Sequence, residues 1–208
     1  MVVIGLTGGI ASGKSTVSKM LREKGATVIE ADKVGHEVYQ PGSPGWREVV
    51  ATFGPTVVGD GGNIDRSSLG EIVFRDPEAL RRLNAITHPR MKAIMAQQVQ
   101  ALKEKGTPVV VLEAAVLIEA EWLSLVDEVW LTALPPETAV KRLVDRNGLP
   151  PAEAWARIRS QIGDEERRRY AKVVIDTDCP LEAVKQQVDA SWADLMARAG
   201  QEQQDQVT

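Results

Sequence analysis

Gly8-Gly9-Ile10-Ala11-Ser12-Gly13-Lys14-Ser15 sets two glycines, a lysine and a hydroxyl at the spacing G-x-x-x-x-G-K-[ST]. No other stretch restricts the fold as tightly, because this spacing belongs between a strand and a helix. The flanks supply both. Val2-Val3-Ile4-Gly5-Leu6 is a short apolar run of strand length, and Val17, Met20 and Leu21 recur at helical spacing from near Gly13. Lys24-Gly25 stops that helix, and Thr27-Val28-Ile29 begins a second strand. Strand, helix and strand in so few residues form a βαβ unit, and such units build parallel sheets.

The loop explains its own spacing. Glycines bring the backbone close to an anion and accept positive φ. Successive N–H groups then point inward at the positive end of the following helix. Lys14 adds a charge for the β and γ phosphates, and Ser15 offers a hydroxyl to magnesium. Gly8, Gly9, Ile10, Ala11, Ser12, Gly13, Lys14, Ser15 and Thr16 are therefore the expected ATP contacts, with Mg2+ as the accompanying ion.

The loop alone does not choose a reaction. A GTP switch pairs Asp-x-x-Gly after a strand with a guanine-specifying motif, and the Asp-x-x-Gly at Asp145-Arg146-Asn147-Gly148 follows a helical stretch. No Asn/Thr-Lys-x-Asp guanine motif occurs. A mechanical ATPase needs a larger core than 208 residues provide. A small-molecule kinase remains.

After the second strand the pattern changes. The next strand, Pro108–Leu112, comes far later than a crossover of ~10–12 residues requires. The intervening segment is helical in period. Asp76-Pro77-Glu78 starts one helix, and His88-Pro89 is read as the start of another, with Gly106 its stop. Asp127–Leu131 gives a further strand, Pro136 opens a helix, Val173–Asp176 gives a late strand, and Leu181 to Leu195 a final helix. The expected fold is α/β: a parallel-sheet P-loop kinase core with a helical acceptor-binding insertion and a lid. Residues 1–32, 106–141 and 170–200 form the core, 33–105 the insertion, 142–169 the lid, and 201–208 a polar, disordered tail.

Carboxylates at strand ends face ligands in open α/β sheets. Asp32 either takes the proton of an attacking hydroxyl or caps the helix expected from Lys33. Glu113, after Val109–Leu112, either holds magnesium through water or is an ordinary strand-end charge. Glu119 either touches the acceptor or is structural. Arg142 and Arg146 lie one helical turn apart and are placed to stabilise charge on the transferring phosphoryl group. Arg167, Arg168 and Arg169, beside Glu165 and Glu166, read as a solvated run of ion pairs. His88 and His36 have no Ser or Cys partner arrangement, and no Cys/His spacing suggests zinc. With Lys14, these assignments make Asp32, Arg142 and Arg146 the catalytic set, and Ser15 and Glu113 the metal set.

Composition narrows the surroundings. A formal net charge of -4 argues against broad nucleic-acid binding. The longest apolar stretch, Val109–Ile118, is broken by Glu113 and spans no membrane. Met1–Leu6 is too short for a signal peptide's apolar region, and the single cysteine, Cys179, fits a reducing compartment. The expected location is cytoplasmic.

Taken in order, the segments resemble the dephospho-CoA kinase family over residues 2 to about 192. They are Ile4-Gly5-Leu6-Thr7-Gly8-Gly9 with Gly13-Lys14-Ser15, then Glu30-Ala31-Asp32 and Gln40-Pro41-Gly42. Ile64-Asp65-Arg66 with Leu69 and Val73-Phe74 follows, then His88-Pro89, Leu117-Ile118-Glu119, Arg142 and Arg146, and Arg157-Ile158 with Gln161. The resemblance implies that ATP phosphorylates the 3′-hydroxyl of dephospho-CoA to give CoA. It also implies Asp32 as the base and an acceptor site including Asp32, His88 and Glu119. Three differences stand out. Glu30 occupies the first position of the family's Asp-Ala-Asp, Ala115 and Val116 occupy the stretch where the family often has a proline before its Leu-Leu-x-Glu element, and Asp176-Thr177 stands where the family ends its last strand with an asparagine. The other readings are a kinase of the same architecture acting on a nucleoside or nucleotide, and a nucleotide-binding module without turnover.

Overall fold

A computed structural model describes residues 1–205, the last four by backbone only. In chain order the elements are β1 (Val2–Thr7), α1 (Lys14–Glu23), β2 (Thr27–Glu30), α2 (Ala31–Val38), α3 (Pro44–Phe53), α4 (Arg66–Arg75) and α5 (Pro77–Glu104). There follow β3 (Val109–Glu113), β4 (Glu128–Ala133), α6 (Pro136–Asn147), α7 (Pro151–Arg159), α8 (Asp164–Arg168), β5 (Ala171–Asp176) and α9 (Leu181–Asp205). The chain divides into two compact units: Met1–Ile29 with the chain from Leu102 onward, and Glu30–Ala101.

The first unit holds a five-stranded sheet in the order β2-β3-β1-β4-β5. β1 pairs in parallel with β3, Val2 opposite Val109 and Leu6 opposite Glu113, and with β4, Ile4 opposite Glu128. β4 pairs in parallel with β5. Strands covered on both faces read as continuous apolar runs, and Val109-Val110-Val111-Leu112, all buried, is such a run. Ile4, Leu6, Val17, Leu21, Val111, Trp130, Ile175, Val188 and Leu195 share one core, so α1 and α9 cover the sheet with the apolar faces their sequences encode.

Glu128, at the start of β4, is a buried carboxylate in this unit. It accepts from Arg198 Nη1 at 2.8 Å and Nη2 at 3.2 Å, and from Trp130 Nε1 at 2.8 Å. Lys172 Nζ lies 2.8 Å away. Burial pushes the carboxyl up, but the hydrogen bonds from Arg198, Lys172 and Trp130 outweigh it and hold Glu128 at about 2.

The second unit has its own core of Val49, Val57, Ile64, Leu69, Val73, Leu83 and Ile86. Its helix starts are set by side chains. Ser43 Oγ accepts from Trp46 N at 3.0 Å and donates to Val38 O at 2.8 Å. Asp65 caps α4 by accepting from Ser67 N at 2.9 Å, Ser68 N at 3.4 Å and Ser68 Oγ at 2.6 Å. Those bonds, the Ser68 hydroxyl's first, lower the Asp65 carboxyl. Leu69 and Val73 follow on the buried face of α4.

Three expectations change. Pro89 lies inside α5 instead of opening a new helix, so His88 stands mid-helix. A proline lacks one N–H and crowds the preceding turn, but long amphipathic contacts offset that cost. Here the Arg90 guanidinium donates to Ile86 O at 2.5 Å and Thr87 Oγ1 to Leu83 O at 3.0 Å, within the interrupted stretch. Second, α2 begins at Ala31, which puts Glu30 at the N-cap and Asp32 in the first turn. Third, α9 continues through residue 201 to Asp205, so the start of the expected tail is helical. Residues 206–208 lie outside the described residues.

Candidate active site

The glycine-rich loop leaves β1 at Thr7 and enters α1 at Lys14. Gly8 has φ +153, and a Cβ there would lie 2.3 Å from Thr132 Oγ1 and 2.5 Å from Thr132 O, so only glycine fits. Gly13 has φ +82 and stands at the N-cap of α1 in the left-handed region. Ala11 also has positive φ, 61, without being glycine. Strain of this kind persists only where neighbours hold it.

Those neighbours come from three elements of the same unit. Ser12 Oγ and Thr132 Oγ1, both buried, lie 2.7 Å apart, and Thr132 comes from β4. Thr177, just past β5, donates from Oγ1 to Ser12 O at 2.9 Å, and its hydroxyl lies 3.2 Å from Ala133 O. Arg142 of α6 donates from Nη1 to Ala11 O at 3.3 Å and from Nη2 to Thr177 O at 2.5 Å. These three residues hold the loop through its carbonyls and the Ser12 side chain, and of its N–H groups Ile10 N donates to Gln161 Oε1 at 2.9 Å.

Lys14 Nζ donates to Gly8 O at 2.9 Å and Gly9 O at 3.2 Å, which curls the ammonium over the loop's apex. Ser15 Oγ donates to Glu113 Oε1 at 3.2 Å. Glu113 reaches it because β3 pairs with β1 in register, Glu113 opposite Leu6. A hydroxyl and a carboxylate side by side are hard oxygen donors of the kind magnesium takes. Among the described residues no three His, Cys, Asp or Glu side chains gather as a metal group. Magnesium with a nucleotide needs only one or two protein oxygens, so this pair fits it.

The sequence-predicted residues divide between the two units. Lys14, Ser15, Glu113, Glu119, Arg142 and Arg146 lie in the first, and Asp32 and His88 in the second. Asp32 is exposed. Arg146 is exposed near the end of α6, where its Nε donates to Asn147 Oδ1 at 2.9 Å, whereas Arg142 is partly buried against the loop. Glu119 Oε1 accepts from Arg167 Nη2 at 3.3 Å.

Arg167 corrects the reading of a solvated run. Its side chain is 2% exposed, while Arg168 and Arg169 are exposed. A run of charges around one turn puts its first arginine inward, and no composition signal marks which. Thr132 was equally invisible, and Thr177 was marked only as a difference from the family's asparagine, because a threonine that caps a loop looks like any strand-end threonine. Beside them a cavity of about 400 Å³ is lined by residues including Leu134, Asp164, Arg168, Asp176 and Asp178.

The dephospho-CoA kinase family model matches residues 2–182. The chain belongs to the dephospho-CoA kinase family. A dephospho-CoA kinase of Symbiobacterium thermophilum is 47% identical over 192 residues, covering 92% of this chain and 80% of that protein. A crystal structure from Thermus thermophilus superposes with a TM-score of 0.78 at 34% identity, covering 93% of this chain and 97% of that one. The dephospho-CoA kinase from Campylobacter jejuni superposes with a TM-score of 0.70 at 28% identity, over 93% and 96%. As a member of the dephospho-CoA kinase family, the chain is a phosphotransferase. Its reaction is the last step of coenzyme A biosynthesis, phosphorylation of dephospho-CoA. The fold is that of a P-loop kinase, with the parallel sheet expected from the sequence.

Proposed function

We propose that the chain binds ATP with magnesium on the loop 8–16 and transfers the γ-phosphoryl group to the ribose 3′-hydroxyl of dephospho-CoA. The observation that carries this reading is the placement of Lys14 Nζ over Gly8 O and Gly9 O with Ser15 beside Glu113. That places a fixed cation and an oxygen pair at one end of the N–H nest.

Ser15 and Glu113 would hold magnesium, Glu113 through water. The ion, when bound, would supply positive charge against the phosphates. Lys14 leaves the loop carbonyls for the β and γ phosphates. Ala11, Ser12 and the first turn of α1 give backbone N–H groups to the anion. Adenine lies in the cavity lined by Leu134, Arg168, Asp176 and Asp178.

Asp32 accepts or orients the proton of the attacking hydroxyl, which needs an exposed carboxylate, as Asp32 has. The acceptor lies on residues 33–105, with His88 and Glu119 as contacts, and residues 142–169 act as the lid carrying Arg142 and Arg146. Among the described residues no helix is long and apolar enough to cross a membrane. We place the enzyme in the cytoplasm, with ATP and dephospho-CoA as its ligands and no nucleic acid.

A coupled assay with ATP, magnesium and dephospho-CoA tests the reading, with CoA identified by mass. Lys14→Ala should abolish nearly all turnover and keep the fold. Hydrogen exchange tests the division of labour. Dephospho-CoA should protect amides within residues 33–105, and a non-hydrolysable ATP analogue chiefly those of 7–17. Turnover with nucleosides or nucleotides but not dephospho-CoA overturns the acceptor assignment.

A further inference from the structure

Three side chains of one short stretch, the turn after α7 and the start of α8, converge on Gly9. A Cβ on Gly9 would lie 3.5 Å from Arg167 Nη1, 3.8 Å from Gln161 Oε1 and 4.0 Å from Asp164 Oδ1. Gln161 Oε1 accepts the Ile10 N–H at 2.9 Å, across 151 residues of sequence. All the remaining anchors of the loop, from Thr132, Thr177 and Arg142, work through its side chains and carbonyls.

Arg167 is what fixes Gln161's stretch. A buried guanidinium is costly unless it is paired and hydrogen-bonded. Its Nη1 donates to Ile162 O at 2.5 Å and lies 3.4 Å from Asp164 Oδ1, and its Nη2 reaches Glu119 at 3.3 Å. Asp164 Oδ2 in turn accepts from Leu134 N at 3.3 Å, just beyond β4. Arg167 Nε is buried without a hydrogen-bond partner. An arginine left with an unpaired N–H in the interior is not optimised for stability alone. Its Nη1 and the Lys14 ammonium both lie close to Gly9, so two cations stand near the apex.

We propose that Gln161 and Arg167 are positioning residues that fix the Gly9–Ile10 apex of the phosphate loop beside Lys14. This rests on the reading of the loop as the γ-phosphate site. The first turn of α1 serves the β-phosphate through its own backbone N–H groups. The pair therefore acts on transfer and not on nucleotide affinity. The reacting atoms are untouched by both side chains: they hold the backbone that holds the phosphoryl group.

The experiment uses the full chain with Gln161→Leu, a near-isosteric change at a half-buried site, and with Arg167→Met and Arg167→Lys. Amide exchange at Ile10 in Gln161→Leu should speed about tenfold while the amides of α1 do not change, the loss of one hydrogen bond. kcat should fall about tenfold or more, with the Kd for ADP changed less than about threefold, the pattern of a contact used in the transition state. Arg167→Lys should recover part of what Arg167→Met loses. If Arg167→Met does not fold, the Gln161→Leu results decide alone. Unchanged kcat, unchanged Ile10 exchange, or ADP affinity falling in step with kcat overturns the proposal. Should the wild type not phosphorylate dephospho-CoA, the proposed acceptor is wrong, and the same comparison is read on intrinsic ATP hydrolysis.

Discussion

Thr177 Oγ1 donates to the carbonyl of Ser12 at 2.9 Å, joining residues 165 apart in the chain. The bond ties the end of the last strand to the turn before α1. It stands where the family's sequence pattern has an asparagine, and it uses a smaller side chain to hold the loop from behind. Thr177→Val keeps the shape and removes the donor, leaving a buried carbonyl short of a partner. We expect a loss of about 1–3 kcal/mol in urea unfolding and a raised KM for ATP. Unaltered stability and KM would mean that the Arg142 contacts hold the loop alone.

Asp32→Asn separates chemistry from helix capping. Asp32 is inside the first turn of α2 and the N-cap is Glu30, so an amide there should leave thermal unfolding within a degree or so, as for most exposed sites. kcat should drop far more than either KM changes, by about 10²-fold or more for a lost general base. A variant that melts early yet turns over normally would return Asp32 to a structural role.

Arg142 and Arg146 should now part company. Arg142→Ala removes donors to Ala11 O and Thr177 O, so both the melting temperature and kcat/KM for ATP should fall, the latter about 10–100-fold. Arg146 is exposed, and Arg146→Ala should slow turnover without affecting melting. Arg168 lines the cavity proposed for adenine, and Arg168→Ala should raise KM for ATP and leave kcat alone. Steady-state kinetics with differential scanning fluorimetry read all three. Identical profiles at Arg142 and Arg146 would contradict their different settings.

Glu128 sets an acid limit on stability. Its folded carboxyl sits at about 2, below the ordinary 4.5, so the ionised form favours the folded state above pH 4.5. That contribution, about 3 kcal/mol at neutral pH from the size of the depression, is lost as pH falls from 4.5 through about 2. Urea unfolding of the wild type should therefore steepen in its pH dependence below 4.5. Glu128→Gln should be less stable at pH 7 and flatter in that range. A parallel pair of curves would assign the acid sensitivity to other carboxylates.

Much of this was legible in the sequence because it was local. The loop's glycines, Lys14 and Ser15 are contiguous, and Val109–Leu112 announces a buried strand by its apolar run alone. Pro89 misled because a local rule, proline as a helix start, lost to the tertiary packing of Leu83, Ile86 and Met95 along a single helix. Arg167 was missed for the opposite reason. Nothing within several residues distinguishes it from Arg168, and its burial is decided by Glu119 and Gly9, which are remote in sequence. The same holds for Thr132 and for the role of Thr177. A site's anionic cradle is written in one segment, but the atoms that brace it arrive from strand ends fixed only when the sheet assembles.

The order β2-β3-β1-β4-β5 places the first strand synthesised at the centre of the sheet. On the ribosome β1 emerges first, yet its partner β3 is not made until Val109. In between, the chain produces the core cluster of the second unit, from Val49 to Ile86. At about 5–20 residues per second, Val2–Thr7 waits for several seconds as an unpaired apolar segment. A chaperone that holds nascent apolar strands has its window there. Slowing translation before Val109 should lengthen the exposure of this one strand while leaving the contiguous unit free to fold.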